Sequence, residues 1–346
     1  MAALRPLAVA ALVCVSLSGS TEQAADQFAF LAPTVTLTAA ERQRLAEREP
    51  LVKVLSGANR EIAVAAFVAT RADADRLVAW VRQIDQLKKS AMVLAIGRFS
   101  DPPAPGDLSG LTVSEEDLAA IRACRPNSCD VKLTAAEIAQ FQKEIAAAGA
   151  DWRPRVTEAF RRLVLRRVET YIAGGHAGLG DYSDGSMVGT LHTTFSGFLK
   201  RSPYLTQKLP RFAEFLDRAP QPVPAEVQSF YYWSTERVGG KPATVAVHVN
   251  IWRDPTDPQR AVVAGKQIMA THYMNGSLNV MTILPGPAGG SNYLVTINRS
   301  EVDVLSGVFG GLARLVAERR VRSEAAQILE GLRQRLESGL PPGSGK

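Results

Sequence analysis

The last third of the chain, from Val227 to Glu337, changes its hydrophobic period once, and that change constrains the fold more than any other feature. Residues 228–238 are rich in aromatic and β-branched side chains, which suit a pleated, half-buried surface. Gly239-Gly240 then supplies a turn. Across 241–252, Val245, Val247, Val249 and Ile251 alternate with Thr244, Ala246, His248 and Asn250, the period-two mark of a strand with one apolar face. The run 254–258 breaks the pattern. Residues 262–274 place Ile268, Ala270, His272 and Met274 on one face, and Gln267, Met269, Thr271 and Tyr273 on the other. Asn275-Gly276 reads as a hairpin turn, with 278–284 as the returning strand. A Gly- and Pro-rich turn at 285–291 precedes a last strand over 293–302. After Ser306-Gly307 the period becomes about 3.6. Phe309, Leu312, Val316, Ala325, Ile328, Leu329, Leu332 and Leu336 predict one long amphipathic helix, with a break near Val321–Ser323 as the alternative. Antiparallel strands with an apolar face need a cover, and this helix is the later element able to supply it.

Upstream, residues 60–70 read as a strand, 73–88 as a helix and 91–99 as another strand. Thr38 followed by Glu41 predicts a capped helix through Arg48. Residues 107–218 have a different, helical character, with a capped helix over 134–148, a long Arg-rich one over 152–173, and shorter ones over 191–199 and 212–216. The Pro-rich run 220–224 leads back to the strands. The expected organisation is a signal segment over 1–25, a lead over 26–50, a discontinuous α+β unit over 51–105 and 223–338, a helical insertion over 106–222, and a disordered tail over 339–346.

Arg5 precedes a short apolar run ending in Ser18-Gly-Ser20, the pattern of a secretory signal, which predicts a periplasmic or secreted protein. That run is shorter than the roughly 20 residues a membrane span needs, and no second span follows it. The formal charge of +6 is spread along the chain, without a Lys/Arg block, so a nucleic-acid partner is not implied. Without the signal, two cysteines remain, Cys124 and Cys129, and an exported chain with one pair predicts a disulfide between them.

The order of segments resembles the START-like helix-grip family, also called the polyketide-cyclase or SRPBCC group. The resemblance rests on REIAVAAFVAT followed by ADADRLVAWVRQIDQL, on the strand series from Phe230 to Val302, and on VFGGLARLVAERRVRSEAAQILEGLRQRLE. The chain also resembles a set of exported bacterial proteins that share GRFSDPP, the CRPxxC segment and KQIMATHYMNGSL. The family resemblance implies an α+β fold in which a curved antiparallel sheet grips a long C-terminal helix around an apolar cavity. The function it implies is binding of a lipid or other apolar small molecule there. The alternatives are a cyclase- or hydrolase-type enzyme in the same cavity, or an envelope protein that docks through the helical insertion.

Tyr231, Trp233, His272, Tyr273 and Met274 are the candidate cavity-lining residues. The competing reading makes them plain core residues. No catalytic residue is assigned. The four histidines are scattered singly, so no metal site is expected. The Gly-rich run 174–180 does not follow a strand and lacks a GK[ST] ending, and no G-x-S-x-G occurs, so no cofactor or serine-hydrolase motif is read.

Overall fold

The computed structural model describes residues 26–58, 60–185, 190–218, 220–238, 240–287, 290–305 and 310–341. The signal segment, most of the expected tail and Phe309 lie outside them, as does the side chain of Leu312.

Eight strands form one sheet: β1 (Leu51–Leu55), β2 (Glu61–Thr70), β3 (Val93–Arg98), β4 (Val227–Val238), β5 (Lys241–Arg253), β6 (Ala261–Ala270), β7 (Met274–Leu284) and β8 (Asn292–Val302). Their order is β1-β2-β8-β7-β6-β5-β4-β3, and every neighbouring pair is antiparallel. The early strand β2 therefore lies beside the last, β8, as the single-sheet expectation requires. The described helices are α1 (Ala39–Ala46), α2 (Ala74–Arg82), α3 (Ile84–Lys88), α4 (Glu115–Ala123), α5 (Ala135–Ala148), α6 (Trp152–Gly174), α7 (Leu191–Lys200), α8 (Pro203–Thr206), α9 (Pro210–Asp217) and α10 (Gly310–Glu337). Capping boxes at Thr38/Glu41 and Thr134/Glu137 start α1 and α5 where the sequence places them.

Helices cover both faces of the sheet. On one face, Phe67, Val280 and Val295 pack with Phe195 and Phe198 of α7, Leu205 of α8 and Phe215 of α9. Farther along that face, Trp233, Ala246 and Ile268 pack with α4, α5 and α6. On the other face, Val68, Val249, Val263 and Leu294 pack with Leu77 and Val81 of α2 and with Leu329, Leu332 and Leu336 of α10. All ten residues of β2 are buried, which explains why its sequence is apolar on both faces.

Three expectations change. First, the β6–β7 turn is Thr271–Tyr273, and Asn275-Gly276 lies inside β7. The reason is that Asn275 is buried. Its Nδ2 donates to Glu301, and its Oδ1 accepts from the buried Lys132 ammonium at 2.7 Å. Tyr273 takes the left-handed conformation of the turn instead, with φ of 65°. Second, the helix expected over 73–88 is two helices that part at Gln83. Third, the apolar stripe of α10 is narrower than expected. Val321 and Ala325 pack toward Ile62 and Val64, and Leu329, Leu332 and Leu336 continue that line. Ile328 and Val316 stay 69% and 63% exposed. Ile328 sits one residue, and so about 100°, away from Leu329 on the helix. The principal neighbours of α10 are β2, β1 and the short helical turn Asp303–Leu305, with α2 beside its last turns.

Candidate functional site

The structure separates the five candidate cavity residues. Tyr231 and Trp233 belong to the sheet face under the helical segment, away from α10. Trp233 is wedged in place: its indole N–H donates to the Asp107 carbonyl at 2.9 Å, and its ring crosses Gly97 so closely that a Cβ there would stand 2.6 Å from Nε1. That is a packing role. His272 sits in the β6–β7 turn, with Nε2 2.9 Å from Asp117 Oδ1 of α4. The hydroxyl of Tyr273 accepts from the Lys241 N–H at 2.6 Å, and Met274 opens β7 half-buried. These contacts anchor a turn and do not converge on a common space. No group of His, Cys, Asp and Glu suited to a metal occurs among the described residues.

Cys124 and Cys129 are bonded, with Cα atoms 4.4 Å apart. The link spans a tight turn closed by the Arg125–Ser128 bridge, where Asn127 takes φ of 64°. It joins the end of α4 to the segment that leads into α5. Nearby, an open concavity of about 430 Å3 lies between α4 and α6, bounded by Glu115, Arg122, Trp152 and Arg153. It is a surface groove, and the Trp152 ring there is already covered by the Arg122 and Arg153 guanidinium groups.

Two places on the sheet itself stand out. The first is on the α10 face. α2 and the end of α10 bury one end of that face, and the middle of α10 buries Ile62 and Val64. Between them a strip stays only half-buried: Gly265 of β6, Ser277, Asn279 and Met281 of β7, and Thr296 and Asn298 of β8. The register makes it continuous, because Gly265 pairs with Asn279 and Asn279 with Asn298. Asn298 Nδ2 donates to Ser277 Oγ at 3.2 Å, and Ser300 donates to Asn298 Oδ1 at 2.8 Å. Gly265 leaves the floor low, and a Cβ there would meet only ordinary contacts, the nearest at 3.6 Å to Val247. The result is a half-buried strip of mixed polar and apolar side chains, lowest at Gly265, on the side of the C-terminal helix.

The second place is on the opposite face, beneath the helical segment. Tyr231, His248 and Lys266 are successive cross-strand partners on β4, β5 and β6, and all point under the helical segment. Lys266 is 1% exposed and donates to the Leu216 carbonyl, in the last turn of α9, at 2.5 Å. Its ammonium lies 4.2 Å from the Phe195 ring centre and 5.1 Å from that of Tyr171. Burial lowers its pKa from 10.5 to about 7, against an opposing pull from Asp217. His248 shares a hydrogen bond with the Tyr171 hydroxyl through Nδ1 at 3.1 Å. His176 Nε2 lies 2.7 Å from the Gln267 carbonyl, which can only accept, so Nε2 carries the proton. Burial first, and then the Lys266 charge, hold both imidazoles neutral, well below the usual histidine range. Four buried polar atoms of this cluster have no partner among the described residues: His176 Nδ1, His248 Nε2, Asn250 Oδ1 and Tyr231 Oη.

The sequence signal for this cluster was the polar alternation of β5, in which His248 and Asn250 sit opposite the valines. Read alone, that face looks solvent-directed. Lys266, within AVVAGKQIMAT, carries a signal of its own, a lysine in the middle of a strongly apolar strand.

No protein-family model matches the chain, and no curated protein matches it. Among solved structures, the protein TTHA0849 from Thermus thermophilus is similar over 43% of this chain and 90% of its own length, at 14% identity and a TM-score of 0.24, which is too slight a likeness to argue from.

Proposed function

We propose that this is an exported, periplasmic binding protein of the START-like, helix-grip kind, whose half-buried strip beside the C-terminal helix takes a small molecule with an apolar body and hydrogen-bonding groups. The observation that carries the reading is the half-buried strip Gly265–Asn279–Asn298, set in the middle of the sheet between residues that α2 and α10 bury. Binding sites combine apolar walls with a few placed polar groups, and this strip offers Met281 beside Ser277, Asn279, Thr296 and Asn298. The amide and hydroxyl groups favour a ligand with hydrogen-bonding functions over a bare hydrocarbon chain. Support for export comes from the Cys124–Cys129 bond, since disulfides persist in oxidising compartments. The sheet and its C-terminal helix support the helix-grip assignment, with β2 beside β8 and α10 on one face.

The test is native mass spectrometry of protein purified from its own envelope, alongside a Gly265→Leu variant. The backbone at Gly265 has room for a Cβ, so the variant should fold while its side chain covers the strip. A small molecule retained by the natural protein and lost in Gly265→Leu supports the reading. Equal retention by both, or none by either, sinks it.

A further inference from the structure

We propose that Lys266 is a reactive amine that condenses with a small aldehyde or ketone, holding it as an imine in the cluster between the sheet and α6, α7 and α9. This site lies on the opposite face of the sheet from the strip around Gly265 and does not depend on it.

The argument starts from placement. Register sets Lys266 beside His248, and His248 beside Tyr231, in one cross-strand row. The amine makes one hydrogen bond, to the Leu216 carbonyl, and otherwise faces the rings of Phe195 and Tyr171. An amine in such an apolar cage is poorly solvated as a cation, and this is how a lysine becomes a nucleophile near neutral pH. An ammonium kept for structure alone would be expected to have a carboxylate partner. The buried Lys132 has two, Asp184 at 2.8 Å and Asp303 at 2.9 Å. Lys266 has a backbone carbonyl instead, and no salt bridge of Lys266 occurs among the described residues.

The surroundings supply what condensation needs. The lone pair of Nζ forms a bond to the carbonyl carbon, and the π pair moves to oxygen. The nitrogen loses its two protons in turn, and His176 Nδ1 is an unprotonated acceptor in the same cluster that can take each of them. His176 passes each proton on to the oxygen, which gains both and leaves as water while the C=N bond forms. No oxidant or reductant enters. Tyr231 stacks on His248 and is only half-buried, which makes it the outer wall of the cluster. His176, His248 and Tyr171 present no net charge, and Asp217 is the carboxylate that acts on the amine.

The test uses the folded mature protein, acetaldehyde at limiting dose and cyanoborohydride to trap the imine, followed by peptide mapping. Expected is an ethyl group on Lys266 at pH 7 in at least about tenfold preference to the exposed Lys200 and Lys208, since a surface lysine is almost wholly protonated there. The rate on Lys266 should reach half its plateau near pH 7. The proposal is overturned if Lys266 is modified only after denaturation, or no faster than Lys200 and Lys208.

Discussion

The imidazole of His248 stacks on the phenol ring of Tyr231, with centroids 4.5 Å apart and ring planes 20° apart. They are cross-strand partners, and Lys266 is the next residue in the row. Three polar side chains thus share the floor of a space roofed by Tyr171, Phe195 and Phe215. Burying them costs free energy unless they stay neutral or find partners, and that cost makes the cluster sensitive to pH.

Lys266 titrates near 7 when folded and near 10.5 when unfolded. Between those values the unfolded chain binds the additional proton, so stability rises with pH across the window. Below pH 7 the penalty is present in full. A Lys266→Met variant lacks this dependence. The stability of the natural protein minus that of the variant should climb on the order of a few kcal/mol from pH 7 to 10, measured by denaturant unfolding. A flat difference would mean that the ammonium is well accommodated inside.

The histidines act at the acid end. His176 and His248 are held neutral well below 6.5, while the unfolded chain takes up protons as pH falls through 6.5. Stability should therefore fall as pH drops below 6.5, and His248→Phe should make that fall shallower. Urea midpoints at pH 6.5 and pH 5 would show it. An unchanged slope would place the acid sensitivity elsewhere.

Along α10, neighbouring residues should behave oppositely. Leu329 is fully buried against α2 and the sheet, and Leu329→Ala should cost about 2–5 kcal/mol. Ile328 is 69% exposed, and Ile328→Ala should change stability by no more than about 0.5 kcal/mol. Similar costs at both positions would mean that the helix is rotated about its axis.

Gly97 and Trp233 allow a sharper test of packing. A Cβ at position 97 would meet Trp233 at 2.6 Å. Gly97→Ala should cost about 1–3 kcal/mol and shift the tryptophan emission as the indole moves off the Asp107 carbonyl. An unperturbed spectrum with unchanged stability would contradict the wedge.

The strand series, the amphipathic final helix, the capped helices and the Cys124–Cys129 link were legible in the sequence, because period, caps and turn formers are local signals. What escaped depended on contacts between distant residues. Asn275-Gly276 carries a strong local turn signal, and the buried Lys132 and Glu301 overrule it by claiming the Asn275 amide. Ile328 and Leu329 are both apolar, and only the position of α2 and β2 decides which of them faces inward. The polar face of β5 looked solvent-directed because nothing local says that α6, α7 and α9 return to cover it. Tyr231 is a candidate from its aromatic strand alone, and only register joins it to His248 and Lys266.

The most direct measurement is a crystal structure of the protein purified from its native source, read at the strip around Gly265. Continuous density from a small molecule along Gly265, within hydrogen-bond distance of Asn279 or Asn298, is the predicted result. A strip holding only solvent, or closed by α10 settling onto Gly265, would contradict the account.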